Sequence, residues 1–293
     1  MLIRFAHRDT VQVGRLTGGG VVPLAETMHE LLALPLAEFT DRVRAGGEPL
    51  PRERIRLLPP VDGRTEVWAA GVTYRRSRAA RVAESAMASV YDLVYDAERP
   101  ELFFKAAAWR VVGDGEPVAV RADSTVNVPE PELALVLNAY GEIVGYTICD
   151  DVSSRSIEGE NPLYLPQAKV YAGSCALGPG ITPAWQVPDP AALGIAMTVS
   201  RAGAPVWSGT ATVGQMKRGL AELARYLYRE EHFPHGAVLS TGTGIVPGLD
   251  FTLAAGDTVT IEIDQLGTLT NPVVAGKAGM AWLADPGRPD GAR

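Results

Sequence analysis

Cysteine is nearly absent: the 293 residues include only Cys149 and Cys175. Neither stands in a CxxC or a Cys/His cluster, which excludes a disulfide scaffold and leaves two ordinary thiols suited to a reducing cytoplasm. Positive charge is also thin. The net charge is −7 and the densest basic stretch is the short YRRSRAAR at residues 74–81, so a surface that tracks nucleic-acid phosphates is not expected. No apolar run reaches the roughly 18 residues of a membrane span. The opening MLIRFAHRDT carries a charge at its fourth residue and lacks a signal-peptide core. The expectation is a soluble, cytoplasmic protein with neither nucleic acid nor membrane as partner. Histidine is rare too: His7, His29, His232 and His235 are all there are. His29 beside Glu30, and the HFPH of residues 232–235, imitate a dyad and a metal pair but read as structural or solvated side chains.

What the chain has is apolar mass, 46% hydrophobic, enough for a full core. Its first sixty-odd residues alternate around TGGG and then take helical spacing in ETMHELLALPLAEFTDRVRAG, which predicts a small α+β cap over residues 1–64. The proline-rich LLPPVDGRTEVWAAG marks a boundary, and from there β-type runs dominate, including PELFFKA, PELALVL, IVGYTIC, IAMTVSR, AVLSTGTG and TVTIEI. Two helical stretches interrupt them, RSRAARVAESAMASVYDLVYD and VGQMKRGLAELARYLYREE. The second places Met216, Leu220, Leu223 and Leu227 on one face, as packing helices do. The fold class is α+β, predominantly β, with the main domain at residues 65–285 and a fraying tail at residues 286–293.

The stretch VPEPELALVL sets Glu130 and Glu132 at the head of an apolar run. Side chains alternate on a strand, so both glutamates share one face with Ala134 and Val136, while Leu133, Leu135 and Leu137 share the other and go into the core. Half-buried and bare, the two carboxylates would repel at a cost of roughly several kcal/mol unless a cation or a shared proton intervenes; the alternative is that both sit at the solvated rim of the strand. After the turn NAYGE, the strand IVGYTICDD ends in Asp150 and Asp151. Strands joined by a short turn lie antiparallel, so one of these aspartates returns beside Glu130 and Glu132. Three carboxylates form a hard oxygen site suited to Mg²⁺, Mn²⁺ or Ca²⁺, with Mg²⁺ or Mn²⁺ expected. Downstream, Lys169 lies among apolar and turn residues where an ammonium needs an anionic partner. LSTGTGIVPG then offers Thr241, Gly242, Thr243 and Gly244, a loop of hydroxyls and N–H groups able to hold a carboxylate or to serve only as a tight turn.

PEPELALVL, DDVSSR, the AK at Lys169 and STGTG, in this order, resemble the fumarylacetoacetate hydrolase superfamily from about Thr65 to Trp282. The resemblance implies a mixed β-roll with peripheral helices, usually a homodimer. It also implies metal ligands at Glu130, Glu132 and Asp151, an active-site lysine at Lys169, a substrate-contacting Thr243 with its neighbour Gly242, and substrate contacts from the motif residues Ser153 and Arg155. The chain departs from the hydrolases in GVTYRRSR, where Thr73 replaces an asparagine and Ser77 stands where a water-activating histidine would be. It departs again at Asp150 and Ser156, in place of an asparagine and an aspartate. SSRSIEGENPLYLPQAKVY resembles most the branch of 2-keto-3-deoxy sugar acid dehydratases typified by 2-keto-3-deoxy-D-arabinonate dehydratase, with Glu158 as candidate acid/base where hydrolases tend to carry glutamine. The implied activity is a Mg²⁺-dependent dehydratase acting on a 2-oxo acid through a metal-bound enolate. Alternatives are acylpyruvate hydrolysis or oxo-acid decarboxylation at the same site, or a non-catalytic, pathway-specialised family member.

Overall fold

The computed structural model of the protein describes residues 1–8, 10–84 and 93–285. The expected tail at residues 286–293 and the middle of the stretch RSRAARVAESAMASVYDLVYD lie outside the described residues; its first part forms the helix Arg75–Glu84. Among the described residues no helix is long and apolar enough to cross a membrane.

Ten strands build one mixed sheet. Its order runs β3 (Gly20–Pro23), β2 (Thr10–Thr17), β1 (Leu2–His7), β12 (Cys175–Pro183), β10 (Ile143–Asp151), β9 (Pro131–Leu137), β15 (Ala237–Ser240), β5 (Glu66–Gly71) and β6 (Glu101–Ala107), with β4 (Arg56–Leu58) beside β1. Only β15 and β5 run parallel in it; the other pairs are antiparallel. The N-terminal strands join the rest through one register pair, Leu2 opposite Ile181. A second sheet orders β14 (Ala204–Thr212), β13 (Gly194–Arg201), β16 (Asp257–Ile263), β17 (Gly267–Ala275) and β7 (Val118–Val120). The short strands β8 (Asn127–Val128) and β11 (Ser153–Ser154) pair with each other.

The alternation expected in PELALVL is present, but both of its faces are buried. Leu133, Leu135 and Leu137 pack with Ile195, Met197 and Val199 between the two sheets. Ala134 and Val136 lie under Met28, Leu31, Leu32, Phe39 and Val43 of the N-terminal helices. A strand covered on both sides reads as a continuous apolar run, and this explains its composition.

Two helical expectations are corrected. The stretch from residue 26 to residue 46 is two helices, α1 (Met28–Leu32) and α2 (Leu36–Arg44), because Pro35 takes an extended N-cap conformation and cannot continue a helix. The stretch around Met216 is helical only at Leu220–Leu227. Gly219 is its N-cap, Met216 precedes it in extended backbone, and Leu223 and Leu227 keep the buried face.

Candidate metal and active site

At the mouth of the central sheet the β9–β10 hairpin brings its two ends together. Cys149 faces Glu132 across the ladder, and the Asp151 N–H donates to the Glu130 carbonyl at 3.0 Å. Alternation then decides between the two aspartates. Asp151, two residues from Cys149, shares the face of Glu132, while Asp150 turns the other way and accepts from the Glu130 N–H at 3.1 Å. Oxygens of Glu130, Glu132 and Asp151 lie within 4.8 Å of one another, and no other group of three such ligands occurs among the described residues. All three side chains are buried.

Buried like charges need cations, and the fold supplies them from three elements. Arg155 opens the helix Arg155–Glu160 and puts Nη2 2.6 Å from Glu130 Oε1. Lys169 ends the helix Leu165–Lys169; its Nζ donates to Glu130 Oε2 at 2.6 Å, to Asp151 Oδ2 at 2.9 Å and to Ser153 Oγ at 2.6 Å. Lys105, from β6, places Nζ 2.5 Å from Asp151 Oδ1. That contact is out of line for a hydrogen bond, and Asp151 Oδ1 has none.

Glu132 is held by neutral donors, Ser240 Oγ at 2.5 Å and the Gly242 N–H at 2.7 Å. Gly242 can aim that N–H because it adopts φ 89°, and a Cβ there would come 2.1 Å from Thr73 Oγ1. Thr73 in turn donates to the Thr241 carbonyl at 2.6 Å and fixes the loop. Burial, reinforced by the charges of Asp151 and Glu130, pushes the Glu132 carboxyl up to about 8. Burial likewise pushes Asp150 up to about 8, only partly offset by the Glu130 N–H. A hard divalent cation fits this donor set. It would meet three carboxylate oxygens, one of them without a hydrogen bond, and would relieve the repulsion that raises Glu132.

Beside the carboxylates and Lys169 lies a narrow cavity walled by Glu101, Phe103, Ser77, Glu158, Leu165 and Thr243, with Gly242 at its edge. Glu158 and Thr243, singled out from sequence, are thus at the cavity. Ser153 and Arg155 are not in its wall; they stand behind it, against Lys169 and Glu130. Glu101, Phe103 and Lys105 went unnoticed in the sequence. The alternation in PELFFKA gives Glu101 and Phe103 one face of β6, while a register shift in the β5–β6 ladder leaves Lys105 without a partner across it. His29 stays away from this site, 2.8 Å from Asp62 and stacked on His235 at 4.8 Å.

The family model for the fumarylacetoacetate hydrolase C-terminal domain matches residues 66–274. The chain belongs to the fumarylacetoacetate hydrolase family. A second model, for an Rv2993c-like N-terminal region, matches residues 1–60. Among curated relatives, 2-dehydro-3-deoxy-D-arabinonate dehydratase of Saccharolobus solfataricus is 47% identical over 224 residues, 75% of this chain and 74% of the relative. A probable 2-keto-3-deoxyxylonate dehydratase of Haloferax volcanii is 51% identical over 253 residues, 86% and 85% of the two chains. The solved structure of 2-keto-3-deoxy-D-arabinonate dehydratase complexed with magnesium and 2,5-dioxopentanoate superposes with a TM-score of 0.83 at 38% identity, covering 94% of this chain and 98% of that one. Within this fumarylacetoacetate hydrolase fold, Ser77 occupies the cavity wall and its hydroxyl donates to the Tyr74 carbonyl at 3.1 Å, so no imidazole reaches the cavity from that position.

Proposed function

We propose that the protein is a magnesium-dependent dehydratase, a carbon–oxygen lyase, of a 2-keto-3-deoxy sugar acid. The observation that carries this reading is one cavity that joins a three-carboxylate cation site, the Lys169 ammonium, and two further carboxyls at Glu101 and Glu158. The dehydratase relatives, and the neighbour that holds magnesium with a dioxo acid, support it.

Glu130, Glu132 and Asp151 would hold the magnesium ion; Mn²⁺ suits the same oxygens. The ion, when bound, draws electron density from a 2-oxo group so that a proton on C3 becomes removable. The protein's own groups do the rest. Lys169 offsets the negative charge that builds on the substrate oxygens as the enolate forms. Glu158 exchanges the proton at C3, with Glu101 as the second carboxyl that protonates the departing C4 hydroxyl. The C3–H and C4–O bonds break, water leaves, and the unsaturated oxo acid tautomerises; a pentonate gives 2,5-dioxopentanoate. Thr243 and its loop orient the substrate carboxylate. Arg155 and Ser153 act from behind, fixing Glu130 and Lys169.

A homodimer and a cytoplasmic location belong to the same reading. Among the described residues β14 pairs only with β13 and carries no charge along APVWSGTAT, which leaves an edge able to pair with a second copy. Cys149 and Cys175 are free, buried thiols.

The test is direct. Purified protein with Mg²⁺ is given 2-keto-3-deoxy pentonates and hexonates, and the products are identified by mass spectrometry. A dioxo or deoxy-dioxo acid is expected; release of pyruvate instead, or no product from any of them, sinks the proposal.

A further inference from the structure

We propose that Lys105 is a positioning residue, one buried cation that sets both the third metal ligand and the active-site lysine. The inference rests on the dehydratase reading of the same site.

Lys105 is fully buried on the inner face of β6, beyond Glu101 and Phe103. It is absent from the cavity wall, so it does not meet the substrate. Its ammonium lies 2.5 Å from Asp151 Oδ1 and donates to two backbone carbonyls, that of Lys169 at 2.5 Å and that of Val152 at 3.2 Å. Each partner has a consequence. The Asp151 contact fixes the carboxylate from the side opposite Lys169, which takes Oδ2 at 2.9 Å. The Val152 carbonyl fixes the peptide that follows Asp151. The Lys169 carbonyl closes the C-terminal end of the helix Leu165–Lys169, where a cation is favoured, and so anchors the backbone from which the Lys169 side chain reaches the cavity.

A single ammonium therefore ties β10, β11's approach and the lysine-bearing helix into one unit. Serine 174 shares the Lys169 carbonyl, its Oγ donating at 2.9 Å, but does not touch Asp151 in this way. Lys105 reaches both the Asp151 carboxylate and the backbone of Lys169 from one ammonium. Methionine here would leave the two carbonyls without this donor and Asp151 without its second cation. Glutamine would keep an amide donor and lose the charge. Arginine would keep the charge with a wider head.

The experiment compares Lys105→Met, Lys105→Gln and Lys105→Arg with the wild type. Magnesium affinity is read by calorimetry, kcat and KM on a 2-keto-3-deoxy pentonate at saturating Mg²⁺, and folding by thermal melts. In Lys105→Met and Lys105→Gln the expected result is magnesium binding about 10-fold weaker and kcat about 10- to 100-fold lower, the range seen when a group orienting a ligand is removed. KM should move less than about threefold, and Lys105→Arg should recover much of both losses. A residue that merely balances charge in the scaffold would lower the melting temperature and leave magnesium affinity and kcat of the folded variants within twofold of wild type; that outcome overturns the proposal. Lys105→Gln serves where Lys105→Met does not fold, and failure of all three variants to fold, arginine included, also overturns it. Absence of magnesium binding or turnover in the wild type is a different failure, that of the dehydratase reading itself.

Discussion

Lys169 Nζ lies 2.6 Å from Glu130 Oε2, so the ammonium assigned to the substrate and the first carboxylate assigned to the metal are joined by a direct ion pair. The lysine is 2% exposed and directs its donors at Glu130, Asp151 and Ser153, which orients it more firmly than a surface lysine. Replacing it therefore affects chemistry and charge balance together. Lys169→Met should lower kcat by about 10²- to 10³-fold, the scale of losing one preorganised charge-stabilising group. Lys169→Arg should not restore it, because a planar fork cannot make three contacts converging on a point. Steady-state kinetics with magnesium saturating reads both; kcat within a few-fold of wild type in either variant would remove Lys169 from the mechanism.

Glu132 differs from its neighbours in being held by a hydroxyl and an N–H, with its carboxyl raised by burial. Glu132→Gln keeps the shape and removes the charge. Without magnesium this variant should melt no lower than wild type at alkaline pH, since it sheds a repelled anion. It should bind magnesium at least about 10-fold more weakly, having lost one anionic ligand. Titration calorimetry and thermal melts of the two proteins in parallel decide this, and unchanged magnesium affinity would show that Glu132 is not a ligand.

How far such a site can be read without coordinates depends on the kind of interaction. The ExE at the head of an apolar strand, followed by a turn and a second acidic end, was legible because strand alternation and hairpin antiparallelism are local rules. Those rules left Asp150 and Asp151 open; the family resemblance pointed to Asp151, and the register, with Cys149 opposite Glu132, puts Asp151 on the face of Glu132. Pro35 and Gly219 ended helices that apolar spacing alone would have prolonged. Lys105 and Glu101 stayed hidden for another reason: PELFFKA is an ordinary amphipathic strand, and only the packing of β6 against β5 and the helix Leu165–Lys169 brings its charged face to the carboxylates. Ser153 and Arg155 sit one layer behind the position expected, because the helix that begins at Arg155 turns that guanidinium toward Glu130.

The raised carboxyls predict an unusual response to pH. Burial pushes the carboxyls of Glu132 and Asp150 up to about 8 from ordinary values of 4.5 and 3.8. A carboxyl raised by folding stabilises the native state fully below its unfolded value, and that contribution is lost as pH rises through the folded one. In the presence of a chelator the melting temperature should therefore fall as pH rises from about 4.5 to about 8 and level off above that. Magnesium needs the ionised form of Glu132, so the gain in melting temperature on adding Mg²⁺ should grow over the same interval. A gain that is flat or that shrinks with pH contradicts the assignment of Glu132.

Gly71 offers the cleanest way to move Glu101 without touching it. The two residues face each other across the β5–β6 ladder, and a Cβ on Gly71 would come 2.1 Å from Glu101 Oε2 and 2.6 Å from its Cδ. Those atoms are the far end of a flexible side chain, so Gly71→Ala should displace the carboxyl while the strands keep their pairing. The three atoms nearest that Cβ all belong to Glu101, so magnesium affinity should stay within twofold. If Glu101 supplies the proton for the departing hydroxyl, kcat should fall by about 10²-fold, the usual worth of a positioned acid or base. The loss should resemble that of Glu101→Gln, and combining the two substitutions should add little, since both remove the same group. Full activity in Gly71→Ala, with the displacement confirmed crystallographically, would leave Glu158 as the sole proton-handling carboxyl in the cavity.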